Sequence, residues 1–246
     1  MDKVEKNIKK RSYINLKLGV LFLFLIFLFA FTSDRNNSRM LFETPIEFEN
    51  PEQPFISEKT VNKLLIQNKG SFKNIRKEAL DLNRLEFLLN ANAYVRKANL
   101  YVAVNGEVGV NIVQKTPLAR VQTDASFYID EEGKMMPTSP NFSARVPLVT
   151  GDVSKQNLKD VFKLVKSIHQ DSFFKKQIEG VVVNNNKFIL LTREFDFKID
   201  FGNIDNRELK IKNFKAFYQK ALKDKSLDKY SKVNLQIASQ VVCTKK

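Results

Sequence analysis

The run LGVLFLFLIFLFAF, Leu18–Phe31, holds fourteen residues without one polar side chain. An α-helix rises about 1.5 Å per residue, so a hydrocarbon core of about 30 Å needs roughly 20 residues. Extended from Ile14 to Thr32 the segment has the required length, and Lys17 in its first turn can snorkel to the head groups. Lys3, Lys6, Lys9, Lys10 and Arg11 precede it against Asp2 and Glu5, while Asp34, Arg35 and Arg39 follow. The basic excess on the N-terminal flank keeps the N-terminus in the cytoplasm and exports the long C-terminal part. Ala30-Phe31-Thr32 is a poor small-x-small cleavage site, so an uncleaved anchor is favoured over a signal peptide. A soluble helix would carry a polar stripe, and this one has none.

Working outward, the net charge is +14, of which the first seventeen residues supply +4 and the rest about +10. A basic exported part suits anionic lipid, envelope polymers or an acidic partner, and outside the cytoplasm nucleic acid is not expected. At 43% hydrophobic and 28% charged residues, the composition is globular. Cys243 is the only cysteine, which excludes an intramolecular disulfide and a cysteine-based metal site. It reads as a small apolar strand residue.

Leu41–Glu49 (LFETPIEFE) alternates around Pro45 and reads as an edge strand. Ser57 caps a helix with Val61, Leu64 and Leu65 on one side, closed by Gln67-Asn68-Lys69-Gly70. A second helix covers about Asn83–Leu89, with Asp81 or Asn83 as cap. Ala98–Val104 and Glu107–Val113 flank Asn105-Gly106, a pair that calls for a hairpin with a type I′ turn. Thr116-Pro117 ends this unit.

Beyond it, Ala119–Gln122, Ser126–Ile129 and Pro147–Thr150 read as short strands, with Asp130-Glu131-Glu132-Gly133 as a solvated turn. Ser154 to about His169 is an amphipathic helix burying Leu158, Val161, Phe162, Val165 and Ile168. Ile178–Val183 and Phe188–Thr192 flank Asn184-Asn185-Asn186, a second hairpin signal, and Asp196–Phe201 alternates strictly. A helix over about Asn206–Leu222 presents Leu209, Phe214, Phe217 and Leu222, and Lys232–Val242 is the final strand.

Chemistry is sparse. His169 is the only histidine and ends a Lys-rich helix, an ordinary place for it. No zinc-protease, phosphate-loop or dinucleotide motif occurs, and the carboxylates are dispersed. The sequence therefore calls for no catalytic residue, metal, cofactor or small-molecule substrate, and reads as a non-enzyme. An envelope enzyme would lack any acid, base or nucleophile constellation. A second reading, a membrane-anchored periplasmic lipid carrier, rests on the 21 phenylalanines.

The order of features resembles the bacterial cell division family FtsQ/DivIB. Phe48 through Ser57–Leu65 resembles the first strand and helix of its POTRA domain. Ala93-Tyr94-Val95-Arg96-Lys97-Ala98-Asn99-Leu100 resembles the family's Pro-Trp-Val-x-x-Ala-x-Val, with Val95 and Ala98 kept. Gln114-Lys115-Thr116-Pro117-Leu118-Ala119 resembles Glu-Arg-x-Pro-x-Ala, with the Glu lost. Asp130–Gly133, Val146-Pro147-Leu148-Val149-Thr150-Gly151, Phe201-Gly202 and Val233-Asn234-Leu235-Gln236-Ile237 follow in the family's order. The departures mark a divergent branch, and Gly133–Pro137 looks similar to sequences from Bacteroidota.

The resemblance implies an α+β chain with a single N-terminal transmembrane helix (14–32) after a cytoplasmic tail (1–13). A POTRA-like β-α-α-β-β domain (41–115) follows, then a β domain of mostly antiparallel strands with two helices (116–246). It further implies a bitopic inner-membrane scaffold at the division septum, with a periplasmic C-terminal bulk that binds FtsB/FtsL-type partners. The contact would fall on the last strand, Lys232, Val233, Asn234, Leu235, Gln236, Ile237, Ala238 and Ser239, with Phe217 and Tyr218 as apolar anchors. An open sheet edge admits a partner strand; the same segment also reads as an ordinary core strand whose edge Lys232 blunts.

Overall fold

A computed structural model describes residues 2–38, 40–66, 77, 80–237 and 239–246. The expected closing turn Gln67–Gly70 lies outside them. The chain is α+β. Helix α1 (Asp2–Asn37) includes Asn15–Asn36, a stretch long and apolar enough to cross a membrane. Thr32, inside that stretch, satisfies its hydroxyl on the Leu28 carbonyl at 2.7 Å.

Contacts divide the chain into two units: Met1–Glu49, Glu58–Ala91 and Lys97–Ile112, and Asn50–Ser57, Asn92–Arg96 and Val113–Lys246. The first runs strand, helix, helix, strand, strand: β1 (Phe42–Phe48), α2 (Glu58–Ile66), α3 (Leu82–Asn90), β2 (Val95–Val102) and β3 (Glu107–Gln114). Its sheet has the order β1-β3-β2, with β1 parallel to β3. Pro45 thus sits on an edge strand, where a missing N–H costs least. Asp81 caps α3 by accepting from the Arg84 N–H. Val61, Leu65, Leu89, Val108 and Ile112 fill the core.

The turn between β2 and β3 differs from expectation. The Gly106 N–H donates to the Ala103 carbonyl at 3.0 Å, and the Ala103 N–H to Glu107 at 2.8 Å. Only Gly106 has positive φ, at 96°. This is a three-residue loop with Gly106 in the bulge position, not a type I′ pair. The I′ geometry occurs instead at Asn185 and Asn186, with φ 46° and 60°.

The second unit is built on a nine-stranded mixed sheet. Its strands are β4 (Pro117–Gln122), β5 (Ser126–Asp130), β6 (Met135–Pro137), β7 (Leu148–Gly151), β8 (Ile178–Asn184), β9 (Lys187–Thr192), β10 (Lys198–Gly202), β11 (Tyr230–Asn234) and β12 (Val242–Lys245). The spatial order is β12-β11-β10-β9-β8-β7-β4-β5-β6, and β4/β7, β7/β8 and β10/β11 are the parallel pairs. Pro117 opens β4, a strand position that tolerates proline.

Three helices belong to this unit, not two: α4 (Leu158–Gln170), the short α5 (Ser172–Gln177) and α6 (Arg207–Lys223). They supply Val161, Leu164, Ile168, Phe174 and Phe214 to one core with Val121, Val149, Val181, Leu190, Ile199 and Val233. The buried face of α6 is Ile211, Phe214, Tyr218 and Ala221, at i, i+3, i+7 and i+10. Of the apolar residues named from the sequence, Leu209 and Leu222 are 44% and 55% exposed. Alternate residues on the strands point away from the helices. Leu148, Val182, Ile189 and Leu191 therefore stand on the other face, outside that core.

Candidate partner-binding edge

The C-terminal edge of the large sheet is assembled from β10, β11 and β12. β11 pairs in parallel with β10 (Ile199 opposite Val233) and antiparallel with β12 (Val233 opposite Cys243, Asn234 opposite Val242). Both sides of β11 are therefore occupied, and β12 is the terminal strand. The sequence expected one strand over Lys232–Val242. The structure ends β11 at Asn234 and returns as β12 from Val242.

This placement sorts the expected contact residues. Lys232 is exposed and pairs with Asp200 at 2.5 Å, which spends its charge inside the sheet. Val233 and Leu235 are core residues, at 0% and 1% exposure. The Leu235 N–H donates to the Asp200 carbonyl at 2.9 Å, so alternation continues past the strand end. Asn234 accepts from the Gln236 N–H at 2.8 Å and shapes the turn. Gln236, Ile237 and Ser239 are exposed in that turn, and Ala238 lies outside the described residues.

Tyr218 does not serve as a surface anchor. Its ring is 7% exposed and packs edge-on against Phe173 at 4.9 Å and Phe195 at 5.9 Å. Burial, with Glu194 beside it, pushes its phenol pKa up. Phe217 is half-buried against Tyr230 at 5.5 Å. Both rings hold α6 on the sheet.

What the edge offers is β12. Val242, Thr244 and Lys245 are exposed, and Val242 is a 44% exposed aliphatic residue at the strand's start. An unpaired edge presents a row of N–H and C=O groups, to which another chain can add a strand. Ser231 steadies β12 from beneath, donating to the Thr244 and Lys245 carbonyls at 3.3 and 3.2 Å. Burial raises the Cys243 thiol pKa, which suits a strand residue more than a reactive thiol. The sequence signal for β12 is Val241-Val242-Cys243-Thr244, three β-branched residues around one Cys, after the polar Ser239-Gln240.

The turn read as solvated carboxylates holds a buried one. Asp130 is 1% exposed and accepts from the Glu132 and Lys134 N–H groups at 3.0 and 2.8 Å, with the Lys115 ammonium at 3.4 Å. It organises the β5–β6 hairpin. Glu131 and Glu132 pair with Arg96 and Lys134. His169 is half-buried, and burial together with the charge of Lys175 lowers its pKa. Among the described residues, no three His, Cys, Asp or Glu side chains gather as a metal site.

The family model described as FtsQ/DivIB, C-terminal related matches residues 116–244, slightly more than half of the chain. The match opens at the first residues of the large sheet and closes inside β12. No curated protein matches the chain.

Proposed function

Because the chain belongs to the FtsQ/DivIB, C-terminal related family, we propose that it is a non-catalytic membrane scaffold of the cell-division machinery. In this reading α1 tethers the protein in the inner membrane, N-terminus in the cytoplasm, and the bulk of the chain is periplasmic at the division septum. Residues 41–115 act as a POTRA-like domain and 116–246 as the partner-binding β domain. The partners are division proteins of the FtsB/FtsL type.

The observation that carries this reading is the open β12 edge at the end of the family-matched region. Strand addition needs only backbone groups on the receiving side, and side chains such as Val242 and Thr244 then select the partner. Tethering both molecules to one membrane raises their effective concentration, so a four-residue edge suffices for a working contact.

The lipid-carrier reading finds no support. The phenylalanines that would line an acyl groove pack on one another: Phe174 on Phe214 at 5.5 Å, Phe195 on Phe197 at 5.8 Å, Phe173 on Phe214 at 6.2 Å.

The test separates the two sides of β12. Successive N–H groups of a strand point to opposite sides, so Cys243→Pro and Thr244→Pro remove, between them, one inward and one outward donor. The outward substitution should abolish capture of FtsB/FtsL-type partners while the protein still inserts and melts as the parent does. Capture retained by both variants would sink the proposal.

A further inference from the structure

At a place that no residue of β11 or β12 lines, the second unit carries a cleft of about 400 Å³. Its walls are the opening of β4 (Pro117, Leu118), the segment Phe142–Pro147, the last turn of α4 with His169, Lys175 of α5, and Arg193 after β9. Glu52 is the single carboxylate at its rim.

Three cations meet there without a counter-ion. Arg145, Lys175 and Arg193 are exposed and join no ion pair among the described residues. Lys232 and Lys115, by contrast, are paired with Asp200 and Asp130. Like charges converging on one concavity repel each other and raise its potential, which favours an anionic guest. Burial lowers the His169 pKa most, and the charge of Lys175 adds to it against the opposing Glu131.

A second feature concerns the backbone. Asn141–Val146 belongs to no helix or strand, and the N–H groups of Ser143, Arg145 and Val146 have no hydrogen-bond partner among the described residues. The Ala144 N–H, by contrast, is held by the Tyr128 hydroxyl at 3.2 Å. Tyr128 packs edge-on against Phe55 at 6.0 Å, and Phe55 against Phe142 at 5.0 Å, so the segment is fixed from behind while its free donors remain. Pro117, Phe142 and Val146 add apolar surface to the lining.

Main-chain donors, apolar wall and Arg/Lys together match a polypeptide bearing carboxylates. A lone phosphate would use the cations and the main-chain donors but leave the apolar wall without a partner. Arg donates to carboxylates from its planar fork, which gives direction as well as charge. We propose that this cleft binds a short acidic peptide segment of a protein partner, its carboxylates on Arg145, Lys175 and Arg193 and its main chain against Ser143–Val146. This is a second contact, separate from β12.

The probe is a fluorescein-labelled octapeptide alternating Glu with Val, added to the full-length protein in neutral detergent and followed by anisotropy. The expected result is saturable binding that the matching Gln-Val peptide does not share. Lys175→Glu with Arg193→Glu should weaken it about tenfold or more. Lys220→Glu with Lys223→Glu, an equal charge change on α6, should leave it within about twofold. Arg145→Gln, a neutral change on an exposed side chain, should weaken it in the same direction and guards against misfolding of the double variant. Equal loss in both charge-reversed proteins, or equal binding of the Gln-Val peptide, overturns the proposal. So does an effect of Lys175→Glu/Arg193→Glu confined to phosphatidylglycerol vesicles, which would make the cleft a lipid site.

Discussion

Gln114 stands where the family pattern carries a glutamate, and its hydrogen bonds use the difference. It is 2% exposed; its Oε1 accepts from the Ile56 N–H at 3.2 Å and its Nε2 donates to the Asn50 carbonyl at 3.2 Å. A carboxylate could accept but not donate there, and its buried charge would need a counter-ion. Asp171 shows the converse case of a half-buried carboxylate well provided for. It caps α5, accepting from the Phe173 and Phe174 N–H groups at 3.1 Å each, and pairs with Lys215 of α6. Burial pushes its carboxyl pKa up, but the Lys215 and α5 hydrogen bonds outweigh that and hold it low. The sign follows: a group depressed in the folded state adds stability above its unfolded value of about 3.9, and that stability disappears as pH falls through the folded value. Asp171→Asn should therefore flatten the loss of stability between about pH 2 and 4. Urea unfolding of the two proteins across that range checks it, and parallel profiles would refute the assignment.

At the scale of elements, turns and strand ends decide whether β-structure is placed correctly. Gly151 closes β7 with φ at 92°, and a Cβ there would lie 2.1 Å from the Val183 carbonyl of β8. Neither the left-handed backbone nor the close approach admits a side chain. Gly151→Ala must separate two parallel central strands, and we expect a loss of about 2–4 kcal/mol, read as a lower urea midpoint. A midpoint shifted by less than the error of a surface control such as Lys187→Ala would contradict this. The Asn185-Asn186 turn is matched to its hairpin because asparagine tolerates positive φ better than other non-glycine residues. α6 illustrates why periodicity alone does not select a face. Leu209, Ile211, Phe214, Phe217, Tyr218, Ala221 and Leu222 encircle much of that helix, so two stripes satisfy the same spacing. Contact with the sheet selects Ile211, Phe214, Tyr218 and Ala221.

At the scale of the whole molecule, the proposed scaffold depends on topology. Its basic N-terminal flank argues for a cytoplasmic N-terminus. The chain has one cysteine, so single-cysteine reporters are simple to build. On a Cys243→Ser background, Thr123→Cys should react with a membrane-impermeant maleimide in intact spheroplasts. Lys9→Cys should react only after the membrane is opened. The reversed pattern would overturn the topology and, with it, the periplasmic placement of the β12 edge.

The sequence by itself determined the apolar span, the α+β class, the helix stripe of α4 and the strand positions around Asn184–Asn186. These are local: each depends on side-chain periodicity or on backbone conformations that a few residue types prefer. It also carried the family resemblance, because the ordered prolines and glycines record turns and strand starts such as Pro117 and Gly151. Tertiary structure alone decided what those elements face. Asp130 looked solvated beside two other carboxylates, yet its neighbours' N–H groups and Lys115 surround it. Val233 and Leu235 alternate as one strand, yet Leu235 already belongs to a turn held by Asp200. The open edge therefore falls on β12, because which strand lies outermost depends on pairings between residues far apart in sequence, and no local pattern encodes them.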